Sequence, residues 1–258
     1  MYINVFCTKH FKFVLGDIRL CDLSSGSSTH QLSGHEGQVQ CVQWNPRNQY
    51  NLVSGGRDHT IRLWDIRSGR SCLRILNMMG LSSPISESKS KKHAKKVPEA
   101  HKSRITSLCF TNDGLWLISF GFDGKLKVWN STTGDCLNVK FGCVFTGIKT
   151  RVNLCISQMT YPDLVYVPSK SFVFVYEVFS GALVNILKGH FSDVHGVIFN
   201  PKNSQLYTYA NDRNFITWIP RIFKSKKNDE NDELNNSNFK VIPDSPVNLD
   251  AWSSSDED

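Results

Sequence analysis

The feature that most constrains this chain is a set of four chemically different side chains that recurs three times at near-constant spacing. A histidine is followed by Ser or Thr, then by Asp four residues later, then by Trp six residues after that. The three sets are His35, Ser54, Asp58 and Trp64; His101, Ser119, Asp123 and Trp129; and His190, Thr208, Asp212 and Trp218. From His to Asp the chain runs 23, 22 and 22 residues. Self-similarity at a fixed period means stacked supersecondary units, none of which can bury its apolar face alone.

Between the landmarks the apolar residues alternate as short strands require, at Val39, Cys41, Val42 and Trp44, at Leu52 and Val53, and at Ile61, Leu63 and Ile66. The joints GGRDH, GFDGK and ANDRN carry the Gly, Asp and Asn of tight hairpin turns. In a buried chain of indole N–H, hydroxyl, imidazole and carboxylate every donor meets an acceptor, and the Asp also takes backbone N–H groups of its turn. Breaking such a chain leaves unpaired buried groups at about 1–3 kcal/mol each. Three copies at equal spacing therefore read as scaffold rather than as catalytic acid and base.

These are the landmarks of the WD40 repeat, and the three segments resemble that family. The resemblance implies an all-β, partial WD40 β-propeller. Residues 142–188 read as a degenerate blade without the His, with Tyr176–Glu177 where Trp–Asp would stand. Residues 13–33 resemble only the last half of a repeat, with Cys21–Asp22 in that place. The expected organisation is an extension over 1–12 and a propeller over 13–223, followed by a disordered acidic tail over 224–258. Within the propeller lie the half blade at 13–33, blades at 34–77 and 100–141, the degenerate blade at 142–188, a last blade at 189–223, and a disordered Lys-rich insert at 78–99. The repeat portion is 189 residues, so at roughly 42 residues per four-stranded blade it makes about four and a half blades.

Composition narrows function chiefly by exclusion. Eight cysteines lie at 7, 21, 41, 72, 109, 136, 143 and 155 with no CxxC pair, unlike a disulfide scaffold or a zinc ribbon. No apolar run reaches the ~20 residues of a membrane span, and the start lacks a secretory pattern. The net charge of +7 divides into −5 from Lys224 onward and +12 before it. A basic body fits nucleic acid, an acidic protein partner or mere solubility. The chain has no phosphate loop, nucleophile elbow or HExxH motif, so neither an enzyme nor a cofactor is expected.

A closer resemblance rests on the tail DAWSSSDED together with RLCDLSSGSSTHQLSGH, LWDIRSGRSCL, LCFTNDGLWL, VWNSTTGDCL and YEVFSGALVNILKGH. In their order these are similar to the Cockayne syndrome WD-repeat protein A family, normally a seven-bladed ring. That resemblance implies a nuclear, non-catalytic substrate receptor of a cullin-4 RING ubiquitin ligase, acting in transcription-coupled nucleotide excision repair. Its partners would be the damaged-DNA-binding adaptor and repair or stalled-transcription proteins, without sequence-specific nucleic-acid or membrane binding. Adaptor docking falls on Trp64, Asp65 and Arg67 of the Trp–Asp–x–Arg motif. The bland reading is that Arg67 merely pairs with Asp65. Alternatives for the whole are a truncated or regulatory fragment with impaired docking, or a generic WD40 interaction scaffold. Lys89, Lys91, Lys92, Lys95 and Lys96 form a candidate import signal, and Ser253, Ser254 and Ser255 ahead of acidic residues suit an acid-directed kinase. Trp252 is expected to anchor the tail.

Overall fold

A computed structural model describes residues 3–6, 16–22, 24–67, 72–76, 99–142, 151–157, 162–220 and 239–243. All regular elements among them are strands. They form five sheets, each an antiparallel meander in chain order. The first holds β1 (Ile3–Phe6), β2 (Ile18–Asp22) and β3 (Ser28–Leu32). The second holds β4 (Val39–Trp44), β5 (Asn51–Gly56), β6 (Ile61–Asp65) and β7 (Arg74–Ile75). The third holds β8 (Ile105–Phe110), β9 (Trp116–Gly121), β10 (Leu126–Asn130) and β11 (Cys136–Leu137). The fourth holds β12 (Cys155–Ile156), β13 (Leu164–Ser169), β14 (Phe172–Glu177) and β15 (Leu183–Lys188). The fifth holds β16 (Val194–Asn200), β17 (Gln205–Ala210), β18 (Phe215–Pro220) and β19 (Phe239–Pro243).

Four apolar cores lie between consecutive sheets. Ile18, Leu20 and Leu32 of the first pack on Val39, Leu52 and Trp64 of the second. Val53 and Ile61 meet Ile105, Leu108, Leu117 and Trp129 of the third. Ile118, Phe120 and Val128 face Ile156, Val165 and Val167 of the fourth. Tyr166, Val173 and Val175 face Val194, Val197 and Trp218 of the fifth. Strand alternation explains the layering: Leu117 and Ile118 are neighbours on β9 yet point into different cores, so each inner sheet is apolar on both faces. This is the β-propeller arrangement, in which blades stack face to face.

Among the described residues no apolar cluster joins the first and last sheets, so the five form an open arc. The free end of that arc is visible in matched positions. Leu126, three residues before Trp129, is buried against the fourth sheet; Phe215, three residues before Trp218, is 52% exposed.

Two expectations are corrected. The first sheet is more than half a blade, because residues 3–6, assigned to an extension, pair with β2 from Ile3–Asp22 to Phe6–Arg19. Since Cys21–Asp22 ends β2 as Trp64–Asp65 ends β6, β1, β2 and β3 match β5, β6 and β7 of the second sheet. The tail, expected to be disordered from 224, supplies β19, which pairs with β18 from Ile216–Pro243 to Pro220–Phe239. Backbone groups at a strand edge need partners whatever the composition of the segment that provides them. Most of the Lys-rich insert, with Lys89, Lys91, Lys92, Lys95 and Lys96, and the segment carrying Trp252 and Ser253, Ser254 and Ser255 lie outside the described residues.

Candidate functional site

The four-residue sets assemble as buried hydrogen-bonded chains. In the third sheet Trp129 Nε1 donates to Ser119 Oγ at 2.8 Å, Ser119 Oγ lies 2.7 Å from His101 Nε2, and His101 Nδ1 lies 3.1 Å from Asp123 Oδ1. In the second, Trp64, Ser54, His35 and Asp58 repeat this at 2.8, 2.7 and 2.8 Å. In the fifth, Trp218, Thr208, His190 and Asp212 do so at 2.9, 2.7 and 2.9 Å. Indole N–H can only donate and carboxylate can only accept, so each Trp donates to its hydroxyl and each His donates from Nδ1 to its Asp. Each carboxylate also caps the loop after its histidine, accepting from Glu36, Lys102 or Phe191 N–H at 3.1, 3.0 and 3.0 Å.

The electrostatics agree. Burial alone would raise Asp123, but the hydrogen bond from His101, with the N–H groups of Lys102 and Lys125, outweighs it and holds the carboxyl at about 2. Asp58 and Asp212 are likewise lowered against the opposing effect of burial, by His35 and by the Asn214 N–H and His190 respectively. Burial depresses His101, with Asp123 opposing, so the neutral imidazole is the form that folds.

Ser–His–Asp connectivity of this kind can also drive nucleophilic catalysis. Access decides between the two uses. Ser54, Ser119 and Thr208 are fully buried and their oxygens already accept an indole N–H, leaving no approach for a substrate. The three sets are structural clamps from the His-bearing loop to the second and third strands. Two cysteines are equally unreactive: burial pushes the Cys109 thiol up to about 11 and Cys155 well above its ordinary value.

The Trp–Asp–Ile–Arg motif sits at the other end of the second sheet. There β5 begins at Asn51, opposite Asp65, whereas its far end at Gly56 adjoins Asp58. Trp64 is fully buried within its clamp, which corrects the expectation that it contributes to a docking surface. Asp65 and Arg67 do reach the surface. Arg67 Nη2 and Nε donate to Asp65 Oδ2 and Oδ1 at 2.7 and 3.1 Å, and its guanidinium lies 4.5 Å from the Tyr50 ring centroid. The bland expectation of an Asp65–Arg67 pair is met, yet the Arg67 side chain stays 57% exposed. The hydrogen bond from Arg67, against a small opposing effect of burial, holds the Asp65 carboxyl below its ordinary range. At the positions matching Arg67 stand Ser24, Thr132 and Phe179, while the fifth sheet's counterpart, Arg221, lies outside the described residues; Ser24 and Thr132 turn the chain through Asp22 and Asn130.

Sequence reasoning missed Tyr50, whose ring supports Arg67 and which carried no repeat signal. It also missed a group of Asn and Arg residues in the neighbouring turns, Asn45, Arg47, Asn51 and Arg74.

With this geometry in hand, the chain was compared with known proteins. The profile of the WD domain, G-beta repeat family matches residues 26–65, 93–130 and 181–218. The chain carries WD40 repeats. Each match ends at the Trp of a third strand or one residue past it. The first and third matches take in β3 and β15, so one repeat joins the outer strand of a sheet to three strands of the next. Among curated relatives, the WD repeat-containing protein ATCSA-1 of Arabidopsis thaliana is 29% identical over 79% of this chain and 57% of its own length. Pre-mRNA-processing factor 17 of Homo sapiens is 24% identical over 76% of the chain and 30% of its length. Nuclear distribution protein nudF of Emericella nidulans is 24% identical over 72% of the chain and 40% of its length. The chain thus spans little more than half of these relatives, or less. A solved chain from a mitotic checkpoint complex superimposes with a TM-score of 0.61 at 20% identity, over 80% of this chain and 55% of its own, a likeness of fold.

Proposed function

We propose that this WD40 protein is a nuclear, non-catalytic substrate receptor that docks on the damaged-DNA-binding adaptor of a cullin-4 RING ubiquitin ligase and serves transcription-coupled nucleotide excision repair. The observation that carries the reading is the second sheet's corner. Among the described residues this corner places a guanidinium at the surface, and Asp65 and Tyr50 hold that group in one orientation. A pre-oriented arginine binds carboxylate or carbonyl acceptors of a partner with little entropy left to lose. The acidic DAWSSSDED ending and the similarity to ATCSA-1 support the same reading. Ubiquitin transfer belongs to partner subunits, and the clamp residues take no part in it.

The test is capture of the purified adaptor by the full chain. Retention lost in Arg67→Ala but kept in Arg47→Ala agrees with docking through the corner. No retention by the unaltered chain refutes it and leaves a second reading, a WD40 protein-interaction scaffold or a regulatory form with impaired docking. Relatives named for pre-mRNA processing and nuclear distribution, each matched over about three quarters of the chain, favour the scaffold as that second reading.

A further inference from the structure

A cleft of about 630 Å³ opens between the second and third sheets, within the ~300–1,000 Å³ usual for ligand sites. One wall is the turn from β4 to β5 with Asn45, Arg47 and Asn51; β7 and the residue before it add Leu73 and Arg74; the β8–β9 turn adds Leu115. Among the described residues no Asp or Glu lines it. Asn45 fastens the walls together, donating through Nδ2 to Gly114 O at 3.3 Å while its Oδ1 accepts the Arg47 N–H at 2.8 Å.

Three features of the cleft ask for a ligand. The Arg47 guanidinium makes no hydrogen bond or ion pair with any described residue, whereas Arg74 is aimed along the far wall by its bonds to the Thr132 and Thr133 carbonyls. Asn51 Oδ1 is a buried acceptor without a donor, a condition that folded proteins avoid. Leu73 and Leu115 stand about 40% exposed at the mouth.

We propose that this cleft binds an extended acidic peptide segment of a partner protein. Carboxylates of the segment pair with Arg47 and Arg74, one of its main-chain N–H groups supplies the donor that Asn51 Oδ1 lacks, and an apolar side chain rests between Leu73 and Leu115. A nucleic-acid backbone satisfies the two arginines but brings no N–H for Asn51 and nothing apolar for the leucines. Arg67 is turned onto Asp65 and Tyr50 and does not line the cleft, so the proposal stands apart from docking through the corner.

The experiment is fluorescence anisotropy of the full-length chain with a fluorescein-labelled Asp-Glu-Leu-Asp-Glu peptide. Saturable binding is expected, weakened about tenfold by Arg47→Glu and by Leu115→Asp, retained in Arg47→Lys, and lost with the uncharged peptide Asn-Gln-Leu-Asn-Gln. Both altered side chains are at the surface, and an unchanged melting midpoint shows that the variants are folded. Arg67→Ala is expected to bind as well as the unaltered chain, so failure of this proposal and failure of adaptor docking are read separately. The proposal is overturned if the acidic peptide does not saturate, if Arg47→Glu and Leu115→Asp leave its affinity unchanged, or if Arg67→Ala abolishes binding. A decauridine RNA that displaces the peptide with the same dependence on Arg47 would assign the cleft to nucleic acid instead.

Discussion

Replacing Ser119 by alanine removes a single oxygen, and the structure states what that oxygen does. It is fully buried, accepts Trp129 Nε1–H at 2.8 Å and lies 2.7 Å from His101 Nε2. Without it one donor and one acceptor are left unpaired where no water reaches, at ~1–3 kcal/mol each, so Ser119→Ala should cost ~2–6 kcal/mol. Against a typical total of ~5–15 kcal/mol that is a large share. The fifth sheet supplies the control: Thr208 fills the same role with a hydroxyl and an added methyl, so Ser119→Thr should lose less than half as much. Urea unfolding followed by circular dichroism measures both, as a lower midpoint at unchanged slope. The double variant Ser119→Ala with Trp129→Phe should lose ~1 kcal/mol less than the two single losses combined, because the orphaned indole donor is removed as well. A loss below ~0.5 kcal/mol for Ser119→Ala, or a threonine variant as damaged as the alanine one, would refute the clamp.

Three further outcomes are expected. The Asp123 carboxyl is held at about 2 against an ordinary 3.8, so the stability it contributes is complete above pH ~4 and is lost as pH falls toward 2. Solvent at the turn reduces the effect to ~1–2 kcal/mol, and unfolding midpoints measured against pH should lose that limb in Asp123→Asn. His101, depressed by burial, adds a decline that begins as pH drops below about 6.5, where the unfolded chain takes up its proton first. Gly121→Ala should destabilise strongly, since a Cβ there collides with Asp123 Oδ1 and His101 Nδ1; loss of the shifted His101 ring signals in NMR reports the displaced pair. Ending the chain before Phe239 removes β19 and bares the edge of β18, so light scattering should show faster aggregation than for the full chain.

The clamps were legible in the sequence because their chemistry is short-range. An Asp four residues after a Ser, with a turn between, brings both to one hairpin; a Trp six residues on falls on the next strand and faces the same hydroxyl. The turns were legible for the same reason. The residue after each clamp Asp takes a positive φ, at His59, Gly124 and Arg213, and only one of the three is the glycine that sequence reasoning expects. Arg67 and its pairing with Asp65 were legible from the motif, but its seat over Tyr50 was not, since Tyr50 is not one of the recurring landmark residues. Trp64 was misplaced at the surface because a motif records order along the chain and not which side of a strand a residue occupies.

By itself, then, the sequence determined what depends on spacing within about 25 residues: strands, turns, clamps and the WD40 repeat that unites them. The tertiary structure alone decided which segments complete each sheet, where the arc ends and where two sheets part to form a cleft. Residues 3–6 and 239–243 carry no periodic mark and become strands only because β2 and β18 present them with unpaired backbone groups. Arg47 and Leu115, far apart in the chain, line one cleft only because the second and third sheets stack. Pairing across such distances is set by edges and faces that exist only once the neighbouring sheets have formed.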